Sequence, residues 1–214
     1  MTPYYQDARV TLWHGDARDI KPAADVLVTD PPYGVAFKGK ATKHTAAGGG
    51  YIGDDDPDVG PDVVRDTLTR VVRGVVFPGT RRMFAYPEPA DIGCVFCPSG
   101  AGIGRWGFTL YHPVLFYGTR PGPVRPSSIE SFDTAGVDGR GHPCPKPVRW
   151  MTWAVSMGCE DGDVVVDPFA GSGTTLVAAK SLGLRAVGVE REERYCEIAA
   201  RRLSQDVLGL VDGR

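Results

Sequence analysis

The chain predicts an α/β fold with a mostly parallel, doubly wound, Rossmann-like sheet, and three observations carry that expectation. Aliphatic runs end in an acid at Val10 to Asp16, Asp25 to Asp30, Val164 to Asp167 and Ala186 to Glu190, as buried parallel strands do when their carboxyl ends face a ligand. Helical spacing follows at 148–157, 176–182 and 191–203. Between strand and helix lies Asp167-Pro-Phe-Ala-Gly-Ser-Gly-Thr-Thr175, a glycine turn of the kind that brings a ligand to a helix N-terminus.

At 214 residues the chain is read as one domain, 1–214, long enough to bury a sizeable core. With 28 Gly and 18 Pro it is rich in turns, yet below the level that suggests disorder. No apolar run approaches the ~18 residues of a membrane span, and the start lacks a basic region followed by an apolar one, so a soluble cytoplasmic protein with no membrane partner is expected. A net charge of −2 argues against a general basic coat for nucleic acid. Locally the balance differs: between Gly100 and Trp150, Arg105, Arg120, Arg125, Arg140, Lys146 and Arg149 outnumber Glu130, Asp133 and Asp138. That stretch is either a nucleic-acid contact or a solvated face. Of the five cysteines only Cys94 and Cys97 have metal-like spacing. With no second pair they read as a buried helix face, and no metal is assigned.

Taken in order, the first strand covers residues 10–16. The second, Asp25 to Thr29, runs into Asp30-Pro31-Pro32-Tyr33-Gly34. Two prolines after an acid can neither continue a ladder nor enter a helix normally, so the chain leaves as a rigid extended turn. Such a turn fixes the Asp30 carboxylate and a neighbouring carbonyl, with the Tyr33 ring nearby. This arrangement can hold a planar exocyclic amine, aim its lone pair at an electrophilic methyl group, and stack on a base flipped out of a duplex. Residues 37–58 lose periodicity and read as a mobile loop near the site or a surface insertion. Val64, Leu68, Val71 and Val72 predict a helix between Pro61 and Gly74.

Arg81 to Tyr86 is expected to be a strand and Ala90 to Cys97 a short helix. Phe108 to Tyr117 follows as a strand, with His112-Pro113 implying an edge position or a bulge. His112 is read as structural. Residues 118–141 are loop-rich and lead to His142-Pro-Cys-Pro-Lys-Pro147 and a helix over 148–157. The final helix should bury Tyr195, Ile198, Ala199 and Leu203.

The glycine turn admits three nucleotide readings. A phosphate-cradling loop needs a Lys before the hydroxyl residue, but Gly173 is followed by Thr174 and Thr175. A nicotinamide fingerprint wants a third glycine where Leu176 stands. The third reading uses Asp167 for a ligand ammonium and Glu190 for ribose hydroxyls; two acids without a phosphate cation point to S-adenosylmethionine.

With these motifs placed, the chain resembles the amino-group DNA methyltransferases, which modify adenine N6 or cytosine N4, in the permuted beta-class order. The similarity runs through Gly15-Asp16, Asp30 to Tyr33, the strand ending at Tyr117, His142 to Pro147, Asp167 to Thr175, Gly188-x-Glu190 and the last helix. The resemblance implies a Rossmann-like S-adenosylmethionine-dependent methyltransferase fold with circularly permuted motifs. It makes Asp30, Pro31, Pro32 and Tyr33 catalytic. Asp167, Phe169, Gly171, Ser172, Gly173, Thr174 and Thr175 would hold the cofactor's methionine part, with Lys146 packed beside it. Glu190 would take the ribose and Asp16 the adenine. The implied partner is double-stranded DNA and the implied target adenine N6, because Asp opens the Pro-Pro-Tyr element; cytosine N4 is the alternative, and a catalytically silent DNA-binding protein the second. The segment 118–141, where this class places target recognition, is short. A short DNA site, the 37–58 loop or a homodimer would compensate, and a phage or prophage enzyme without a restriction partner fits the small size.

Overall fold

The computed structural model of the chain describes residues 2–34, 56–98, 102–104, 107–109, 111–119, 128–132 and 146–205. The strands are β1 (Tyr5–Gln6), β2 (Val10–His14), β3 (Val26–Thr29), β4 (Arg73–Val76), β5 (Asp91–Phe96), β6 (Gly102–Gly104), β7 (Gly107–Thr109), β8 (Tyr111–Tyr117), β9 (Ile129–Ser131), β10 (Val164–Asp167) and β11 (Arg185–Glu190). The helices are α1 (Val59–Leu68), α2 (Val148–Gly158), α3 (Thr174–Ser181) and α4 (Glu193–Ser204). Nine strands form one sheet in the order β1-β2-β11-β10-β3-β4-β8-β5-β9, and β6 and β7 form a separate hairpin. The run β2-β11-β10-β3-β4 is parallel throughout, and β8 adds antiparallel to β4. The fold is thus the mostly parallel, doubly wound α/β arrangement expected.

Neighbouring residues along the strands feed opposite cores, which explains why these segments read as continuous apolar runs. Val26, Val28, Val75, Val114 and Val165 pack with α2, α3 and α4 on one face. Leu27, Val76, Leu115 and Val166 join Val64 of α1 on the other. Each such side chain, fully buried, contributes roughly 1.5–3 kcal/mol. None of the described helices is long and apolar enough to cross a membrane.

Four expectations need correction. Residues 90–97 form strand β5, not a helix; its buried residues are Gly93 and Val95, an alternation of two. Cys94 and Cys97 therefore lie three residues apart along extended chain and not on one helix face; Cys94 is half-buried and Cys97 buried. The expected strand at 81–86 is a 3₁₀ turn over Met83–Ala85. The true strand is β4, and the preceding helix stops at Leu68, not at Gly74. Gly74 is a strand residue packed so closely that a Cβ would lie 2.9 Å from Leu68 Cδ2, a close approach that its sequence position made look like a stop signal. Lastly, β8 lies inside the sheet between β4 and β5. Its proline is tolerated because the β4 ladder reaches only Leu115 to Tyr117, leaving Pro113 paired on the β5 side alone. Most of the 37–58 loop, most of 118–141 and residues 142–145 lie outside the described residues.

Candidate active site

The chain winds from β10 through α3 to β11 on one side and from β3 through α1 to β4 on the other, so β10 and β3 flank the point where strand order reverses. In open α/β sheets the crevice at the carboxyl ends of such strands is where ligands bind. Four expected site acids line up along this edge. Asp16 follows β2, Glu190 ends β11, Asp167 ends β10 and Asp30 follows β3, and these four strands are consecutive in the sheet.

The two halves of the site are joined by one hydrogen bond. Thr29, the last and fully buried residue of β3, donates its hydroxyl to Asp167 Oδ1 at 2.7 Å. The same oxygen accepts the Phe169 N–H at 3.0 Å. Asp167 is only 2% exposed, and among the described residues no ion pair reaches it. Burial pushes its carboxyl up from 3.8 to about 6, against the lowering effect of these hydrogen bonds. Thr29 escaped the sequence reading; its one signal is a hydroxyl at the end of an otherwise aliphatic buried strand.

Beyond Thr29 the chain turns through the buried Pro31, and Asp30, Pro32 and Tyr33 are half-buried. The Tyr33 hydroxyl donates to Asp30 Oδ1 at 2.5 Å. Lys146 donates from Nζ to Asp30 Oδ2 and to the Tyr33 oxygen, both at 2.7 Å, and sits 5.2 Å from the centre of the Tyr33 ring. The three groups close a ring. Burial and then the Asp30 charge push the Tyr33 phenol well up, so it remains a donor. Expected beside the cofactor, Lys146 is bonded to the Pro-Pro turn. His112 packs on Trp150 with ring centres 4.9 Å apart. Burial, then Lys146, pushes its imidazole down to about 4, so it is neutral at ordinary pH, in keeping with a structural role.

In the glycine turn, Gly171 (φ 52°) and Gly173 (φ 79°) adopt the left-handed conformation that other residues resist, and Gly173 caps α3. Glu190 organises the turn from the next strand: Oε2 accepts the Gly171 N–H and Oε1 the Glu192 N–H, each at 2.7 Å. Burial pushes the Glu190 carboxyl up. From α4, Arg202 Nη1 reaches the Ser172 carbonyl at 2.7 Å and the Ser172 and Thr174 hydroxyl oxygens at 3.1 Å. Ser172, Thr174 and Thr175 are buried, so their side chains brace the turn. Phe169 is half-buried beside them. Asp16 is bound by Arg18 through Nε at 2.9 Å and Nη2 at 2.6 Å, which holds its carboxyl down at about 2. Neither Arg18 nor Arg202 was anticipated; Arg202 finds its partners only when α4 packs on the glycine turn, whereas Arg18 bonds an acid two residues back in the chain.

Residues 120–201 match the family model described as DNA methylase. The Type II methyltransferase M2.DpnII of Streptococcus pneumoniae is 42% identical over 65 residues, 30% of this chain and 24% of that protein. Over this stretch the chain is similar to the DNA methylases. Its match to that relative spans about a quarter of the relative's length. The fold extends much further than the sequence likeness. A crystal structure titled M1.HpyAVI–SAM complex superposes with a TM-score of 0.69 at 19% identity, covering 91% of this chain and 99% of that one. The PvuII DNA methyltransferase, titled cytosine-N4-specific, also gives 0.69 at 16% identity, covering 96% and 90%. The likeness in fold therefore extends over nearly the whole chain, while the match in sequence lies in its second half.

Proposed function

We propose that the chain transfers a methyl group from S-adenosylmethionine to the N6 amino group of adenine in double-stranded DNA. The observation that carries this reading is the pair of turns joined through Thr29: an acceptor turn at Asp30 to Tyr33 beside the glycine turn that follows Asp167. The residues fit the cofactor's chemistry. Asp167 is a buried carboxylate suited to an ammonium, the left-handed glycines let backbone approach closely, and Glu190 stands at the next strand's end for the ribose. Bound there, the cofactor supplies an electrophilic methyl on a sulfonium centre.

The protein's part is orientation. Asp30 and a turn carbonyl accept the two N–H bonds of a flipped base's amine, which raises electron density on nitrogen, and the Tyr33 ring offers a stacking face. The amine nitrogen then bonds to the methyl carbon as the carbon–sulfur bond breaks, and the excess proton on nitrogen passes to the Asp30 carboxylate. No covalent enzyme intermediate is required. Asp at position 30 supports adenine over cytosine, and a second copy of the chain is proposed to complete the DNA cleft.

The test is transfer of labelled methyl from S-adenosylmethionine to unmethylated DNA, read by nucleoside mass analysis, with Asp30→Ala alongside. N6-methyladenine with the intact protein and its loss in the variant is the expected result. N4-methylcytosine alone would change the target base and leave the mechanism standing. Cofactor binding with no transfer would sink the enzymatic reading in favour of a silent DNA binder.

A further inference from the structure

We infer that Lys146 is the positioning residue of the amine site: its ammonium fixes the Asp30 carboxylate and the Tyr33 phenol in the one arrangement that meets the target nitrogen. The inference rests on the methyl-transfer reading and assigns to it a residue outside the Asp-Pro-Pro-Tyr turn.

The geometry is that of a backing cation. The Lys146 side chain is 6% exposed and the Asp30 side chain 24%, so the ammonium approaches the carboxylate from the protein side and the carboxylate faces the open side. Among the described residues each Asp30 oxygen has one side-chain donor, Lys146 on Oδ2 and Tyr33 on Oδ1. A carboxylate has about four lone-pair sites, so two remain for an incoming amine. The 2.7 Å bond from Lys146 to the Tyr33 oxygen directs the phenol proton at Asp30 and fixes the ring beneath the ammonium. Lys146 has been brought across 116 residues of chain to do this, from the segment just before α2. Without it, the carboxylate can rotate about its terminal torsion, which is broad and weakly restrained in acids. Among the described residues, the other charged or titratable groups near the cluster are His112, kept neutral by burial and Lys146, and Asp167 and Tyr86, both of which feel the Asp30 charge.

Lys146→Met preserves the aliphatic stem and removes the donor; Lys146→Gln keeps an amide NH2 donor group without the charge. Both are compared with the full-length wild type in single-turnover methyl transfer to DNA, with cofactor affinity measured separately by calorimetry. A misaimed acceptor should slow the chemical step of Lys146→Met by about 10²-fold, with cofactor affinity preserved within about threefold. Lys146→Gln should recover roughly a tenfold part of that loss. Adding Tyr33→Phe should cost less in Lys146→Met than in the wild type, because the three groups act as one network. A Lys146→Met enzyme with the wild-type rate, or one whose whole defect is weaker cofactor binding, overturns the assignment. Should Lys146→Met fail to fold, a wild-type rate in Lys146→Gln overturns it instead. A wild type that transfers no methyl to DNA removes the parent reading and this inference together, an outcome distinct from an active wild type matched by an equally active variant.

Discussion

Replacing Asp167 by Asn should strengthen the fold at neutral pH while destroying cofactor binding. Asp167 is buried at the junction of both sites, and its carboxyl is pushed up from 3.8 to about 6. A group whose folded value is raised favours the folded state at low pH, and that contribution is lost as pH rises through the folded value. Here it is fully present below about pH 3.8 and gone above about pH 7. With those two values the linkage integral gives a loss on the order of 1 kcal/mol between pH 5 and pH 8. Relative to a neutral group, the ionised carboxylate costs the ligand-free protein about 3 kcal/mol at pH 8, an upper bound set by the shift from 3.8 to about 6.

Asn keeps an oxygen to accept from Thr29 and Phe169 and carries no charge. Urea unfolding of both proteins at pH 5 and pH 8 measures the difference directly. The stability gap in favour of Asp167→Asn should widen by roughly 1 kcal/mol from the lower to the higher pH. Calorimetry should find wild-type affinity for S-adenosylmethionine about tenfold weaker at pH 5 than at pH 7, because the acid must first ionise, and none measurable in the variant. A gap that does not change with pH, or an Asn variant less stable than wild type at pH 8, would refute the reasoning.

The glycine turn yields three further expectations. Gly173→Ala forces a side chain into φ 79°, with its Cβ 2.9 Å from Ala199 Cβ. The left-handed strain alone should cost about 1–2 kcal/mol, read as a lower melting temperature with weaker cofactor affinity. Arg202→Ala leaves the Ser172 carbonyl and two hydroxyls without their common donor. It should raise the KM for cofactor with little change in KM for DNA, and destabilise by about 1–3 kcal/mol; an unchanged cofactor KM would show that the turn holds itself. Glu190→Ala frees the Gly171 and Glu192 N–H groups, and equilibrium dialysis should find weaker binding of S-adenosylmethionine than in the wild type.

How much of this was legible in the chain depended on whether the signal was local. The Asp30 to Tyr33 turn and the Asp167 to Thr175 turn were readable because proline, glycine and a terminal acid constrain the backbone wherever the segment is placed. Strand β5 was misread because Asp91 to Phe96 is short and its buried face carries a glycine, Gly93, while Ile92 and Phe96 are exposed, so helix and strand patterns compete and only pairing with β8 decides. The same holds for β4, whose Val75 and Val76 were hidden by a helical spacing that continued past Leu68. Residues whose partners are remote carry no sequence period at all. Arg202 looks like any base in a last helical turn until α4 lies against the glycine turn. Thr29 is the sharpest case. Its hydroxyl is separated by 138 residues from the carboxylate it bonds, and it stands at the adjoining ends of the two parallel strands β3 and β10. A bond that short across that junction makes the acceptor turn and the cofactor turn one mechanical unit. Repositioning Asp167 on cofactor binding should therefore be felt at Asp30, and Thr29→Val, close in shape but unable to donate, should weaken that coupling: bound cofactor should raise affinity for DNA in the wild type and less so in the variant. Equal enhancement in both proteins would show that the two turns are set independently.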